Sequence, residues 1–255
     1  MADDKQKKDP VGDEFFRPLV IADYIARSLF YTSAALSIAA LLVSQSAYPQ
    51  AFTIIQVAFA LSVIALFVVS LATRLYFGPR AQSRRYQDFL SHAFGKPLSH
   101  KQTAAYYNNS VAAGLPRAAA QVLESSFFSR EVVSRMLTWE RTKIALYVVI
   151  WIVALLNRTT DLLLIGVAAQ IVFSEQILSH WLRLEWLRRE CEKVYEDLFR
   201  LIQSGSPSDM FTLELLGRYE TAKATAGITL SPRTFEKNRI SLNAEWETIR
   251  ATLGI

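Results

Sequence analysis

The chain has 255 residues, 51% of them hydrophobic and 20% charged, with a formal net charge of +5 and a mean hydropathy of only +0.18. These values exclude both a uniformly apolar membrane bundle and an ordinary soluble domain, and imply a membrane part plus a cytosolic part of comparable size. The single cysteine, Cys191, excludes an internal disulfide framework and any multi-cysteine metal site. The positive balance suits anionic lipid headgroups, an anionic soluble ligand, or simply the retention of basic loops on one side of a membrane.

Residues 1–22 form a charged N-terminal segment. Its first residues are too acidic, and too far from the first apolar run, for a signal peptide, so the first apolar helix is expected to remain in the mature protein. Two apolar stretches follow, 24–43 and 52–77, parted by Ser44-Gln45-Ser46-Ala47-Tyr48-Pro49-Gln50. Each supplies roughly 20 apolar positions, enough for a helix to cross a hydrocarbon core of about 30 Å. The break carries no Lys or Arg, whereas Lys5, Lys7, Lys8, Arg17 and Arg27 precede it and Arg74, Arg80, Arg84 and Arg85 follow it. By the positive-inside rule, residues 23–77 read as a hairpin with both ends in the cytoplasm.

The next segment, 78–142, is then cytosolic. A basic helical start after Gly78-Pro79-Arg80 leads into a loop from Phe94 to His100. Tyr106-Tyr107-Asn108-Asn109 and Gly114-Leu115-Pro116-Arg117 follow, then a helical stretch over 118–127. Ser129 has the position of an N-cap for the last helix before the membrane.

A second hairpin is predicted over 143–182. Its apolar runs, 144–156 and 162–173, have 13 and 12 residues and flank Asn157-Arg158-Thr159-Thr160-Asp161. They are short for spans, but Trp139, Tyr147, Trp181 and Trp186 sit where an aromatic belt would, and Lys143 and Arg183 can snorkel. Four spans are expected, with two spans and a soluble helical pair as the alternative. Gln170, Glu175 and His180 are the polar residues of interest here. Glu175 either faces a bundle interior or a wet path, or lies at headgroup level paired with Lys143 or Arg141. Gln170 fits an interhelical hydrogen bond.

From the end of the fourth span into 183–255, the residues Phe173, Ile177, Leu184, Leu187, Cys191, Val194, Leu198 and Leu201, with His180 filling one position, step by threes and fours, the spacing of a heptad. One helix running from 161 to 203 would be roughly 60 Å long. Its seam packs either within the chain or against other subunits. Ser204-Gly205-Ser206-Pro207 stops it. Helices are expected over 210–226 and 233–253, and Cys191 should pack as a small apolar residue. The fold class is therefore an all-α membrane protein: two transmembrane hairpins, with a cytosolic helical domain built from the inter-hairpin segment and the tail.

Catalytic chemistry finds little support. There is no phosphate-binding glycine loop and no nucleophile elbow, and His92, His100 and His180 lack metal-ligand spacing. No enzyme activity, cofactor, metal or direct DNA binding is expected. A ligand surface is the remaining candidate. Arg84, Arg85, Lys96, Lys101 and Arg117 supply charge, Phe94, Tyr106 and Tyr107 supply stacking faces, and Asn108 and Asn109 supply hydrogen bonds, a combination suited to a nucleotide. The plainer reading has Tyr106 and Phe127 in the core and Asn108 as a cap.

The order of parts resembles the SMODS- and SLOG-associating four-transmembrane effector family. The resemblance rests on the hairpin, Phe94-Gly95, Tyr106-Tyr107-Asn108-Asn109, Glu124-Ser125-Ser126-Phe127-Phe128, the second hairpin and the helical tail. It implies a bacterial inner-membrane effector of antiphage defence, and with the residue pattern the expectation is an oligomeric, multi-pass protein with both termini cytoplasmic. It further implies activation by a cyclic nucleotide or oligonucleotide from a partner nucleotidyltransferase, followed by loss of membrane integrity. It transfers no ligand residues. A constitutive scaffold or adaptor is the alternative.

Overall fold

A computed structural model of the chain describes residues 9–104, 106–107, 109–156, 162–205 and 208–255, the side chains of Leu162 and Glu175 excepted. Among the described residues the fold is all helical: α1 (Arg17–Leu42), α2 (Pro49–Ala72), α3 (Gly78–Phe94), α4 (Leu115–Leu156), α5 (Leu162–Val172), α6 (His180–Gln203), α7 (Asp209–Ala226) and α8 (Pro232–Leu253), with no sheet. Three π-turns, Gly12–Phe16, Thr73–Phe77 and Glu175–Ser179, precede α1, α3 and α6.

The π-turn before α3 has a local cause. Pro79 lacks an N–H and its ring crowds the carbonyl four residues back, so a helix that continues through it must widen there. Thr73–Phe77 supplies that widening, and the rod runs unbroken over Pro49–Phe94 where the sequence suggests a fresh start at Gly78. The single helix expected over 161–203 is interrupted: α5 ends at Val172, Phe173 and Ser174 form a turn and a bend, and the π-turn Glu175–Ser179 leads into α6. Among the described residues, three rods are long and apolar enough to cross a membrane: Gly12–Leu42, Pro49–Phe94 and Leu163–Gln203. The remaining expected span, 144–156, is the end of α4 and borders residues outside the description, where Arg158 also lies.

The chain divides into two compact units. One comprises Leu19–Tyr76 and Thr138–Leu182. Its small core is Phe30, Ile144 and Ile177, with Leu66, Tyr147, Val148, Ile171, Leu178 and Trp181 packed around them. Ser33 and Ser62 hydroxyls, 2.8 Å apart, join α1 to α2; one donates to the other, which donates in turn to a carbonyl of its own helix. The outer surface is apolar: Ile54, Val57, Leu61, Ile64, Phe67, Val68, Leu146, Val149, Ile150 and Val153 are all exposed. Only 6% of the apolar window of the second rod is buried, a surface that water does not tolerate and hydrocarbon does. The three rods and this surface make the chain a multi-pass membrane protein.

The other unit comprises Met1–Pro18, Phe77–Leu137 and Arg183–Ile255. The start of α4 is its centre. Residues 118–124 are buried without a gap, so the helix is enclosed on every face. The run Ala118-Ala119-Ala120 gives neighbouring chain segments the close approach this requires. In the same unit Phe127, Leu184, Leu198, Leu242 and Trp246 are all nearly inaccessible, and the Phe127 and Trp246 ring centroids lie 5.8 Å apart. The α6 seam is thereby settled: Leu184, Leu187, Cys191, Val194 and Leu198 are buried inside this unit, not held out for another subunit. Ser129 falls within α4, where its hydroxyl meets that of Tyr219 at 2.9 Å, so it is a packing contact and not a cap. Gly95 ends α3 at φ 66°, a left-handed conformation that favours glycine. Ser231 caps α8, accepting from the Thr234 amide at 3.2 Å.

Candidate functional site

Arg85, on α3, is the centre of the only region where several of the sequence-predicted ligand residues meet among the described residues. Its guanidinium lies 4.5 Å from the Tyr106 ring centroid and 5.3 Å from that of Phe16. Two nitrogens donate to the two oxygens of Asp9, at 3.0 and 2.8 Å, in the forked geometry that carboxylates and phosphates share. Asp88, fully buried, stands 4.0 Å away on the same helix. Tyr106 also meets the Tyr107 ring at 4.9 Å, and Tyr107 is edge-on to Phe89 and His92. Burial pushes both tyrosine hydroxyls above their ordinary range, Tyr107 strongly, so both are neutral donors at physiological pH. For Tyr106 the adjacent Arg85 charge opposes that rise without cancelling it.

A second lock fixes the loop after α3. Asp88 accepts from the Thr103 amide at 3.0 Å and from the Thr103 hydroxyl at 2.7 Å. His92 Nε2 lies 2.9 Å from the Thr103 carbonyl and 2.8 Å from its hydroxyl oxygen. A carbonyl only accepts, so Nε2 carries the proton, and the network assigns the tautomer. The nitrogen facing the hydroxyl is therefore a donor, not a base. Despite its make-up of carboxylate, imidazole and hydroxyl, this trio is not arranged as an activated nucleophile.

The other predicted residues are placed as follows. Arg84 donates to Gln87 at 3.1 Å, with the Phe15 ring 5.7 Å away. Arg117 closes the loop, donating to the carbonyls of Val111 at 2.7 Å and His92 at 3.2 Å. Lys96 is exposed just past the α3 terminus. Lys101 pairs with Glu14. Asn109 is half-buried, with a side-chain oxygen that has no partner among the described residues, and Asn108 lies outside them. In the other unit Gln170 is exposed on α5, not enclosed between helices, and His180 is half-buried at the start of α6. The Glu175 side chain lies outside the description, and Lys143, one of its expected partners, pairs with Glu140. Among the described residues no group of three His, Cys, Asp or Glu is placed to hold a metal ion.

Sequence reasoning missed the acidic half of this site. Asp9, Gly12, Phe15, Phe16, Asp88 and Thr103 complete it, yet none belongs to a recognisable motif. The available signal was Asp9 three residues before Gly12, the spacing at which the Asp9 side chain accepts from the Gly12 amide at 2.9 Å. The site as built can hold an oxyanion in an oriented, partly desolvated fork. No protein-family model, curated protein or solved structure matches the chain.

Proposed function

We propose that this protein is a membrane effector whose polar helical unit senses an anionic ligand, a nucleotide signal being the best fit, and whose apolar unit then compromises the membrane. In this reading the chain crosses the bilayer four times with both termini in the cytoplasm, as an oligomer in a bacterial inner membrane, and the signal comes from a partner enzyme of antiphage defence. The supporting observation is covalent. α4 begins as the enclosed centre of the polar unit and ends among exposed apolar residues, and the rod Pro49–Phe94 likewise carries both lipid-type surface and the Arg85 cluster. A ligand that binds one arrangement of the polar unit better than another shifts its population, and the shared helices carry the shift.

The test is dye entry. Induced expression together with a cyclic-nucleotide synthase should admit propidium iodide, and expression without it should not. Equal permeability in both cultures refutes the reading. Topology is tested in a Cys191→Ala background carrying Met210→Cys, an exposed position. An impermeant maleimide should label it only after lysis.

The adaptor reading is favoured by one observation: Arg84, Arg85 and Arg117 are already engaged within the chain. It predicts no thermal stabilisation of purified protein by any nucleotide, whereas a ligand specific for the folded state raises stability.

A further inference from the structure

We infer that the Arg85 fork is an oxyanion site closed by the chain's own Asp9, and that a phosphate monoester opens it by displacing Asp9 and releasing the strap Asp9–Phe16. This deepens the sensing role proposed above and rests on it. Three observations converge.

The first is the fork. Arg85 is oriented by the Phe16 and Tyr106 rings, and the stacked Tyr106 lies outside the strap, so the fork keeps a support when Asp9 leaves. A phosphate monoester offers the same paired oxygens as Asp9 but more charge, and Arg80 and Arg84, 5.6 and 5.7 Å from the Phe15 ring, add to the positive field.

The second is Gly12. A Cβ there would stand 2.6 Å from Asp9 Oδ2 and 2.9 Å from its Cγ. A side chain at position 12 would therefore crowd the carboxylate where it sits on the Gly12 amide and Arg85, and would make it shift.

The third is the nature of the strap's hold. Asp9 binds Arg85, Glu14 binds Lys101, and Phe15 and Phe16 lie against arginines. Val11 is its one buried apolar anchor. These are contacts that a competing anion exchanges for its own, whereas a packed apolar core is not exchanged. The strap includes the first turn of the first apolar rod, Gly12–Leu42, and runs on into α1.

An internal carboxylate competes at an effective concentration in the millimolar range, which weakens apparent affinity for a free anion until the competitor is removed. The experiment uses the full chain in phosphatidylcholine nanodiscs, with phenyl phosphate as soluble ligand, read by calorimetry and by hydrogen exchange of residues 9–16. Phenyl phosphate should accelerate exchange in the wild-type strap. Asp9→Asn and Gly12→Ala should each tighten binding by about tenfold or more, and Arg85→Gln should abolish it. Gly12→Ala changes no charge, so a shared effect isolates the seating of Asp9. In a second arm, nanodiscs containing phosphatidic acid replace the soluble ester. A response confined to that arm identifies the occupant as a headgroup phosphate at the same site. Unchanged strap exchange in both arms, or affinities in Asp9→Asn and Gly12→Ala equal to wild type, overturns the inference. Dye entry in cells tests the sensing reading separately, so either can fail alone.

Discussion

Asp88 offers the sharpest test of how the polar unit is held together. Its carboxylate is fully buried and accepts two hydrogen bonds from Thr103, at 3.0 and 2.7 Å, with Arg85 4.0 Å away. A hydrogen bond to a charged group contributes about 1.5–3 kcal/mol, and Asp88→Ala also strands the Thr103 amide and weakens the surroundings of a desolvated Arg85. Removing one member of a buried charged pair costs about 3–5 kcal/mol, and that is the loss expected here. For a unit of this size it corresponds to a fall in melting temperature of about 6–20 °C. Asp88→Asn keeps one acceptor for Thr103 and should lose about half as much. Far-ultraviolet circular dichroism of the detergent-solubilised chain gives the melting temperature, and hydrogen exchange at Thr103 gives the local effect. If Asp88→Ala melts within a degree or two of wild type, the claim that a buried carboxylate pins this loop is wrong.

The remaining predictions probe other levels of the structure. The Ser33–Ser62 contact should contribute about 0.6 kcal/mol between helices, so a double-mutant cycle of Ser33→Ala and Ser62→Ala should return a small positive coupling, and a zero coupling rejects the bond. Tyr219 is fully enclosed, donating to the Ser125 carbonyl at 3.2 Å, and burial, chiefly, raises its hydroxyl well above the usual range. A raised folded-state value means that its contribution is complete below about pH 10, the unfolded value, and is lost as pH climbs above it. Tyr219→Phe should therefore flatten the alkaline limb of a stability-against-pH curve and leave its neutral part shallow. Gly95→Ala places a Cβ at φ 66° and should cost about 1–2 kcal/mol in an equilibrium unfolding measurement. Leu187→Ala, in a seam residue 2% exposed, should cost about 2–5 kcal/mol by the same measurement.

Periodicity made some of this fold readable and left other parts hidden, for identifiable reasons. The α6 seam could be written down from the sequence because its residues recur at helical spacing, and the tail helices were visible between Ser-Pro and Gly signals, as observed at α7 and α8. The partner of a face is a different matter. In sequence the same seam suits an oligomer or an intramolecular core equally well, and only its burial in the folded unit distinguishes them. The centre of α4 was harder still, since a helix buried on every side has no polar face to make a pattern. Ala118-Ala119-Ala120 carries little hydrophobic signal and nonetheless lies at the heart of the unit.

The candidate site divides along the same line. Arg84, Arg85, Tyr106 and Tyr107 were legible as charge and aromatic surface, because residue type alone announces it. Their engagement was not legible, because Asp9 and Arg85 are 76 positions apart and a Coulombic pair leaves no period in the chain. Gly12 carries the lesson furthest. Read alone it is one small residue before an apolar helix. Beside Asp9 it leaves room for the carboxylate that the Arg85 fork holds. Seam residues and site residues therefore differ in how they respond to change. Proline at Leu187 or Cys191 would dismantle a packed core and report only on folding, whereas Asp9→Asn alters one ionic seat while the core residues remain in place. Regulation in this chain is most economically sought where charge, and not packing, holds a segment down.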